Sequence, residues 1–163
     1  MKKILILFLV VSSTTFGQKK LDKLLDKWNT RNVPYISVET LAMPKTDAIL
    51  LDAREENEFN ISHLENAICV GYDNFKIKET IAKLPKDKKA KIVVYCSLGI
   101  RSETVAHKLI KEGYTNVYNL YGGIFEWKNA NFKVIDTLGK STEKVHTFNK
   151  SWSKWLKKGE KVY

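Results

Sequence analysis

The chain has 163 residues, 44% of them hydrophobic and 28% charged, which excludes a disordered polymer and fits one globular domain with a real core. Its 28 basic and 18 acidic residues give a formal charge of +10, a surface suited to anionic small molecules or acidic partners. No basic cluster is interleaved with aromatics in a recognised nucleic-acid module, and two cysteines make no disulfide framework, so neither nucleic-acid binding nor a disulfide scaffold is expected.

Residues 1–17 read as an export signal. Lys2 and Lys3 start it, Ile4 to Val11 form its apolar run, and Thr15 and Gly17 stand at −3 and −1 for cleavage before Gln18. The apolar run is far short of the roughly 20 residues needed to span a bilayer. The expected destination is therefore periplasmic or secreted, with no stable membrane insertion after cleavage. Removing 1–17, which hold two lysines and no acid, leaves a net +8. Leu21, Leu24, Leu25 and Trp28 follow helical spacing, which predicts an amphipathic helix within 18–34 packed on the domain.

Tyr35 to Val38 read as a short strand, Glu39 to Met43 as a helical turn stopped near Pro44, and Ala48 to Leu51 as an apolar strand ending at Asp52. Asp52 and Arg54 sit where that strand stops, a place where charge-assisted hydrogen bonds commonly tie loops together. His63 lies in a turn before a strand from Ala67 to Val70 that holds Cys69; a hydrogen-bonded structural role is its ordinary fate there. Ile77, Ile81 and Leu84 mark a helix closed by Pro85.

The apolar run Ile92 to Tyr95 then ends abruptly in Cys96, followed by a loop with Gly99, then Arg101 and a helical stripe of Val105, Ala106, Leu109 and Ile110 that stops at Gly113. A buried strand thus delivers a thiol to the mouth of a helix, where unpaired N–H groups favour negative charge and lower a thiol's pKa. A buried structural cysteine is the competing reading of this loop. Asn116 to Leu120 form the last strand, Gly122 and Gly123 allow a tight turn, and Trp127 opens the closing helix. This alternation predicts a parallel sheet with helices on both faces, and ligands in such folds bind beyond the carboxyl ends of strands. In 136–163 a stripe of Val145, Phe148, Trp152, Trp155 and Leu156 among lysines predicts a basic, helical C-terminal extension laid on the core.

Taken in order, Leu51-Asp52-Ala53-Arg54 with Glu58-Phe59, His63 before Ala67, Cys96 to Arg101, Gly113 to Val117, and Leu120 to Ile124 with Trp127 resemble the rhodanese-homology family, in particular its single-domain bacterial sulfurtransferases. The likeness covers about 35–135. It departs at Ser62 and Asn66, where the family usually has glycine. The resemblance implies an α/β fold with a central five-stranded parallel sheet, helices on both faces, and no metal or cofactor.

It further implies that Cys96 carries sulfur as a persulfide, taken from a small anionic donor such as thiosulfate and passed to cyanide or a thiol. A thioredoxin-like reductant is an expected partner. By the same resemblance Ser97, Leu98, Gly99, Ile100, Arg101 and Ser102 would surround the sulfur, Ser97, Leu98 and Ile100 forming an open rim. Arg101 would attract the donor, and Asp52, Arg54 and His63 would support the loops. Three alternatives stand beside it. One is a non-catalytic binding module. Another is a phosphatase or arsenate reductase, disfavoured because four residues separate Cys96 from Arg101 where such enzymes have five. The last is a redox pair of Cys96 with Cys69.

Overall fold

The computed structural model describes residues 11–44 and 46–163, in two units divided at Thr30 and Arg31. The described residues of the first hold the helix α1 (Val11–Trp28). Its backbone runs through the expected cleavage point, while the charged start and most of the apolar run of the expected signal lie outside the described residues. Among the described residues no helix is long and apolar enough to cross a membrane.

The second unit is built on five strands: β1 (Tyr35–Ile36), β2 (Ile49–Asp52), β3 (Ile68–Cys69), β4 (Ile92–Tyr95) and β5 (Val117–Leu120). They lie in the order β1-β5-β4-β2-β3, and every pairing is parallel. Parallel neighbours need crossovers, and the chain supplies helices for them: α2 (Val38–Leu41), α3 (Glu56–Ile61), α4 (Ile77–Ala82) and α5 (Arg101–Lys111), with α6 (Gly123–Asn129) after the last strand. All four residues of β4 are fully buried, as a central strand covered on both faces requires. The helix α6 begins at Gly123, four residues before Trp127, because Gly122 takes φ 69° and turns the chain directly into it.

At the two departures from the family's glycines the backbone differs. Asn66 has φ 62°, the left-handed conformation a glycine would take and asparagine tolerates. Ser62 is extended at φ −170°, where any residue fits.

The expected C-terminal helix is not there. Residues 134–163 form β6 (Val134–Ile135) antiparallel to β7 (Ser141–Thr142), then β8 (Lys144–His146) parallel to β9 (Glu160–Val162), with one 3₁₀ turn at Ser153–Trp155 between the last two. The three- and four-residue spacings of the apolar stripe match a helix by coincidence. Val145 is buried in a strand, Phe148 turns left-handed at φ 63°, and the Asn149 side chain caps the short turn by accepting from the Trp152 N–H at 3.0 Å. Pairing with β9 overrides the local period.

Candidate active site

Cys96 stands at the carboxyl end of β4, and α5 begins five residues later at Arg101. The loop between is shaped from behind by α6: the Ile124 N–H donates to the Cys96 carbonyl at 2.9 Å and the Phe125 N–H to that of Ser97 at 3.2 Å. That approach needs a glycine at Gly123, since a Cβ there would lie 2.2 Å from the Cys96 carbonyl oxygen.

The loop turns its donors onto the sulfur. The Gly99 N–H donates to Cys96 Sγ at 3.2 Å, and Ser102 Oγ lies 3.5 Å from it. From the neighbouring strand Asn119, fully buried, holds both: Nδ2 donates to the Gly99 carbonyl at 2.8 Å, and Oδ1 accepts from Ser102 Oγ at 2.7 Å. Burial pushes the Cys96 thiol up. The Arg101 charge and hydrogen bonds from Ser102 and Gly99 outweigh it, leaving the thiol below its ordinary value.

Arg101 is not a free anion hook. Its Nη1 and Nη2 donate to the two carboxylate oxygens of Glu58 at 2.6 and 2.8 Å, and Nη2 also donates to Ser97 Oγ at 3.0 Å. Burial raises the Glu58 carboxyl, but its hydrogen bonds and charge pairing with Arg101 bring it below the ordinary range. The Phe148 ring centroid lies 4.9 Å from the Arg101 guanidinium, and His146 Nδ1 lies 3.9 Å from Glu58 Oε1. Glu58 is a family-motif position whose role as Arg101's partner, 43 residues away, carries no local signal; Asn119, His146 and Phe148 likewise carry none.

Of the expected rim, Ser97 and Leu98 are buried and only Ile100 is partly exposed. Leu98 joins the core because α6 and β5 close the loop from behind, so the open rim does not exist. Cys96 itself is 0% exposed. Clefts of about 430 and 410 Å³ open elsewhere, the first beside Trp127 and Phe132, the second beside Glu55 and Cys69, and neither is lined by Cys96.

The supporting residues fall away from the sulfur. Arg54 and Asp52 form a wholly buried pair, Nη2 to Oδ2 at 2.6 Å, and Nη2 also donates to the Ser62 carbonyl at 2.7 Å. His63 stacks on Phe59 with centroids 3.8 Å apart, and its backbone bridges to Ile135. Cys69 is a free thiol, pushed up to about 11 by burial and Asp52.

Known proteins share this fold. Residues 38–130 match the profile of the rhodanese-like domain. A tRNA uridine(34) hydroxylase of Hamiltonella defensa is 33% identical over 118 residues, 71% of this chain and 31% of that protein, so the chain spans less than a third of that relative's length. The fold also superposes on a rhodanese-related protein of Thermoplasma volcanium, with TM-score 0.55, 25% identity, and coverage of 63% of this chain and 97% of that one. A thiosulfate sulfurtransferase of Pseudomonas aeruginosa shares the fold at TM-score 0.59 and 21% identity, covering 76% of this chain and 23% of that one. With more than half its length matched, and with Cys96 at the carboxyl end of the central strand, the chain belongs to the rhodanese-like domain family.

Proposed function

We propose that the chain is a sulfurtransferase that carries sulfane sulfur as a persulfide on Cys96. The observation that supports this most directly is a thiol held below its ordinary value by donors aimed at its sulfur. The Cys96 thiolate attacks the outer sulfur of a donor such as thiosulfate. A new S–S bond forms, the donor's S–S bond breaks, and sulfite leaves with the electron pair. An acceptor thiolate then attacks the outer sulfur, taking it as a new persulfide and returning Cys96 to thiolate. The same donors stabilise thiolate and persulfide anion, so little must reorganise between the steps. Arg101 acts through its field on the sulfur, with its hydrogen bonds committed to Glu58 and Ser97.

Thiosulfate treatment followed by intact-mass analysis tests this. An adduct of about 32 Da on Cys96, absent from Cys96→Ser, is expected. An unmodified Cys96 supports a binding module, and hydrolysis of an aryl phosphate supports the phosphatase alternative; either overturns the proposal. Likeness to tRNA uridine(34) hydroxylases favours a second reading, in which the same thiol serves a tRNA-modifying reaction. Sulfur transfer to a small thiol without added tRNA separates the two. Export with cleavage before Gln18 is part of the proposal, and a mature mass that begins at Met1 refutes it.

A further inference from the structure

The segment after the family-matched residues returns to the site. β8 packs on α3, the helix that carries Glu58, and it is anchored through β9: Thr147 is fully buried, its N–H donating to the Val162 carbonyl at 2.8 Å and its hydroxyl at 3.1 Å. The next residue, Phe148, is held in a left-handed conformation, φ 63°, that bulky side chains rarely adopt. Its N–H donates to His146 Nδ1 at 3.1 Å, and its ring leans on Trp152 with centroids 5.3 Å apart. Nothing in its own burial explains this strain, because Phe148 remains 47% exposed. What the conformation achieves is to set the ring on the guanidinium of Arg101. Its Nη1 and Nη2 are bound to Glu58 and Ser97, and the ring lies beside it with its centroid 4.9 Å from Cζ.

We propose that Phe148 is a specificity-determining residue of the Cys96 site, its ring screening the Arg101 cation and so setting how readily anionic sulfur donors are taken relative to uncharged ones. The inference rests on Cys96 being the reacting sulfur, and it concerns which reagents reach that sulfur. Arg101 is a strong positive charge close enough to pull the Cys96 thiol down. An incoming sulfonate or carboxylate gains from the same charge only where it can approach it. An aromatic ring on a guanidinium offers a cation–π contact in place of that approach. The device lies outside residues 38–130, so it is a property of this chain's extension.

The test compares an anionic with a neutral thiol reagent on the full chain, before any sulfur donor is involved. Alkylation of Cys96 by iodoacetate and by iodoacetamide is followed by peptide mass, which keeps Cys69 separate. Phe148→Ala is expected to raise the iodoacetate-to-iodoacetamide rate ratio roughly tenfold, the order of one unscreened charge near a partly buried site. Phe148→Leu, which keeps an apolar cover, is expected to raise it less. Phe148→Ala should also lower KM for thiosulfate more than it alters kcat. An unchanged ratio, equal acceleration of both reagents, or no labelling of Cys96 in any variant overturns the inference. A ratio that shifts in a protein that never forms a persulfide keeps the screening role and refutes the sulfurtransferase reading. A persulfide with an unchanged ratio does the reverse.

Discussion

Glu58→Gln separates the two tasks that the Glu58–Arg101 pair performs. Both groups are nearly buried, Glu58 at 2% and Arg101 at 9% exposure, and two short hydrogen bonds join them. Removing one member of a buried ion pair costs about 3–5 kcal/mol, because the remaining charge is left uncompensated. Glutamine keeps one acceptor for one guanidinium nitrogen but turns an amide N–H toward the other. The lower end, about 3 kcal/mol, therefore applies. For a domain of this size that is a fall in Tm of about 6–12 °C. The thiol should respond in the opposite sense: with the carboxylate gone, nothing offsets the Arg101 charge, and the Cys96 thiol falls further below its ordinary value.

Urea unfolding and the ultraviolet titration of the thiolate, each against Cys96→Ser, measure the two effects. Stability down with the titration moved to lower pH is expected. Loss of stability with the titration moved to higher pH would refute the reasoning, showing that Glu58 chiefly places Arg101 and that its own charge at the sulfur is negligible. Acid unfolding provides a further check. The Glu58 carboxyl is held below its ordinary 4.5 in the fold, so its contribution is fully present above that pH and is lost as pH falls through the folded value. Glu58→Gln should lack that acid-sensitive component.

Asn119→Asp keeps an acceptor for Ser102, loses the donor to the Gly99 carbonyl, and brings negative charge behind the loop; the thiolate titration should move to higher pH, read by ultraviolet absorbance. Gly123→Ala sets a Cβ 2.2 Å from the Cys96 carbonyl oxygen in a left-handed backbone and should cost about 3 kcal/mol or more in urea unfolding, with loss of the persulfide adduct. Burial holds the His146 imidazole below its ordinary 6.5, with Arg54 and Arg101 pushing the same way and Glu58 opposing. The stability it contributes is thus fully present above pH 6.5 and lost as pH falls through the folded value, while protonation of Nδ1 breaks the bond from the Phe148 N–H. Amide exchange at Phe148 should therefore quicken in mild acid and lose that dependence in His146→Gln.

The centre of the fold was legible because its signals are local. A short apolar run bounded by turn signals reads as a covered strand, a cysteine at its end followed by glycine and a helical stripe reads as a loop at a helix mouth, and both are found at β4 and α5. The Asp52–Arg54 tie was legible for the same reason, being two residues long. The rest depends on pairs far apart in the chain. Nothing near Arg101 announces that Glu58 will take its hydrogen bonds, and nothing near Ser97 or Leu98 announces that α6 will bury them. The C-terminal segment misleads for a related reason. The spacing of Val145, Phe148 and Trp152 satisfies a helix, but β9 lies at hand to pair with β8, and that pairing has no trace in the period of either segment.

The two cysteines of this chain show what sets the acidity of a thiol in this fold. Cys69 is half-buried beside Asp52, its sulfur turned toward the Arg54 carbonyl at 3.7 Å, and its thiol is driven up to about 11. Cys96 is buried more completely and yet moves down. Burial pushes both thiols up, so what separates them is whether the groups facing the sulfur can outweigh it. At Cys69 the Gly71 N–H and the Arg54 charge favour the anion, but burial and the Asp52 carboxylate outweigh them. At Cys96 the Arg101 guanidinium and the backbone N–H groups of Ser102 and Gly99 overcome burial. A thiolate stabilised by fixed dipoles does not need bulk water, and a persulfide placed there gains from the same dipoles while being shielded from other thiols. On the proposed sulfurtransferase reading, a closed site is then an asset to a sulfur carried on Cys96 between encounters.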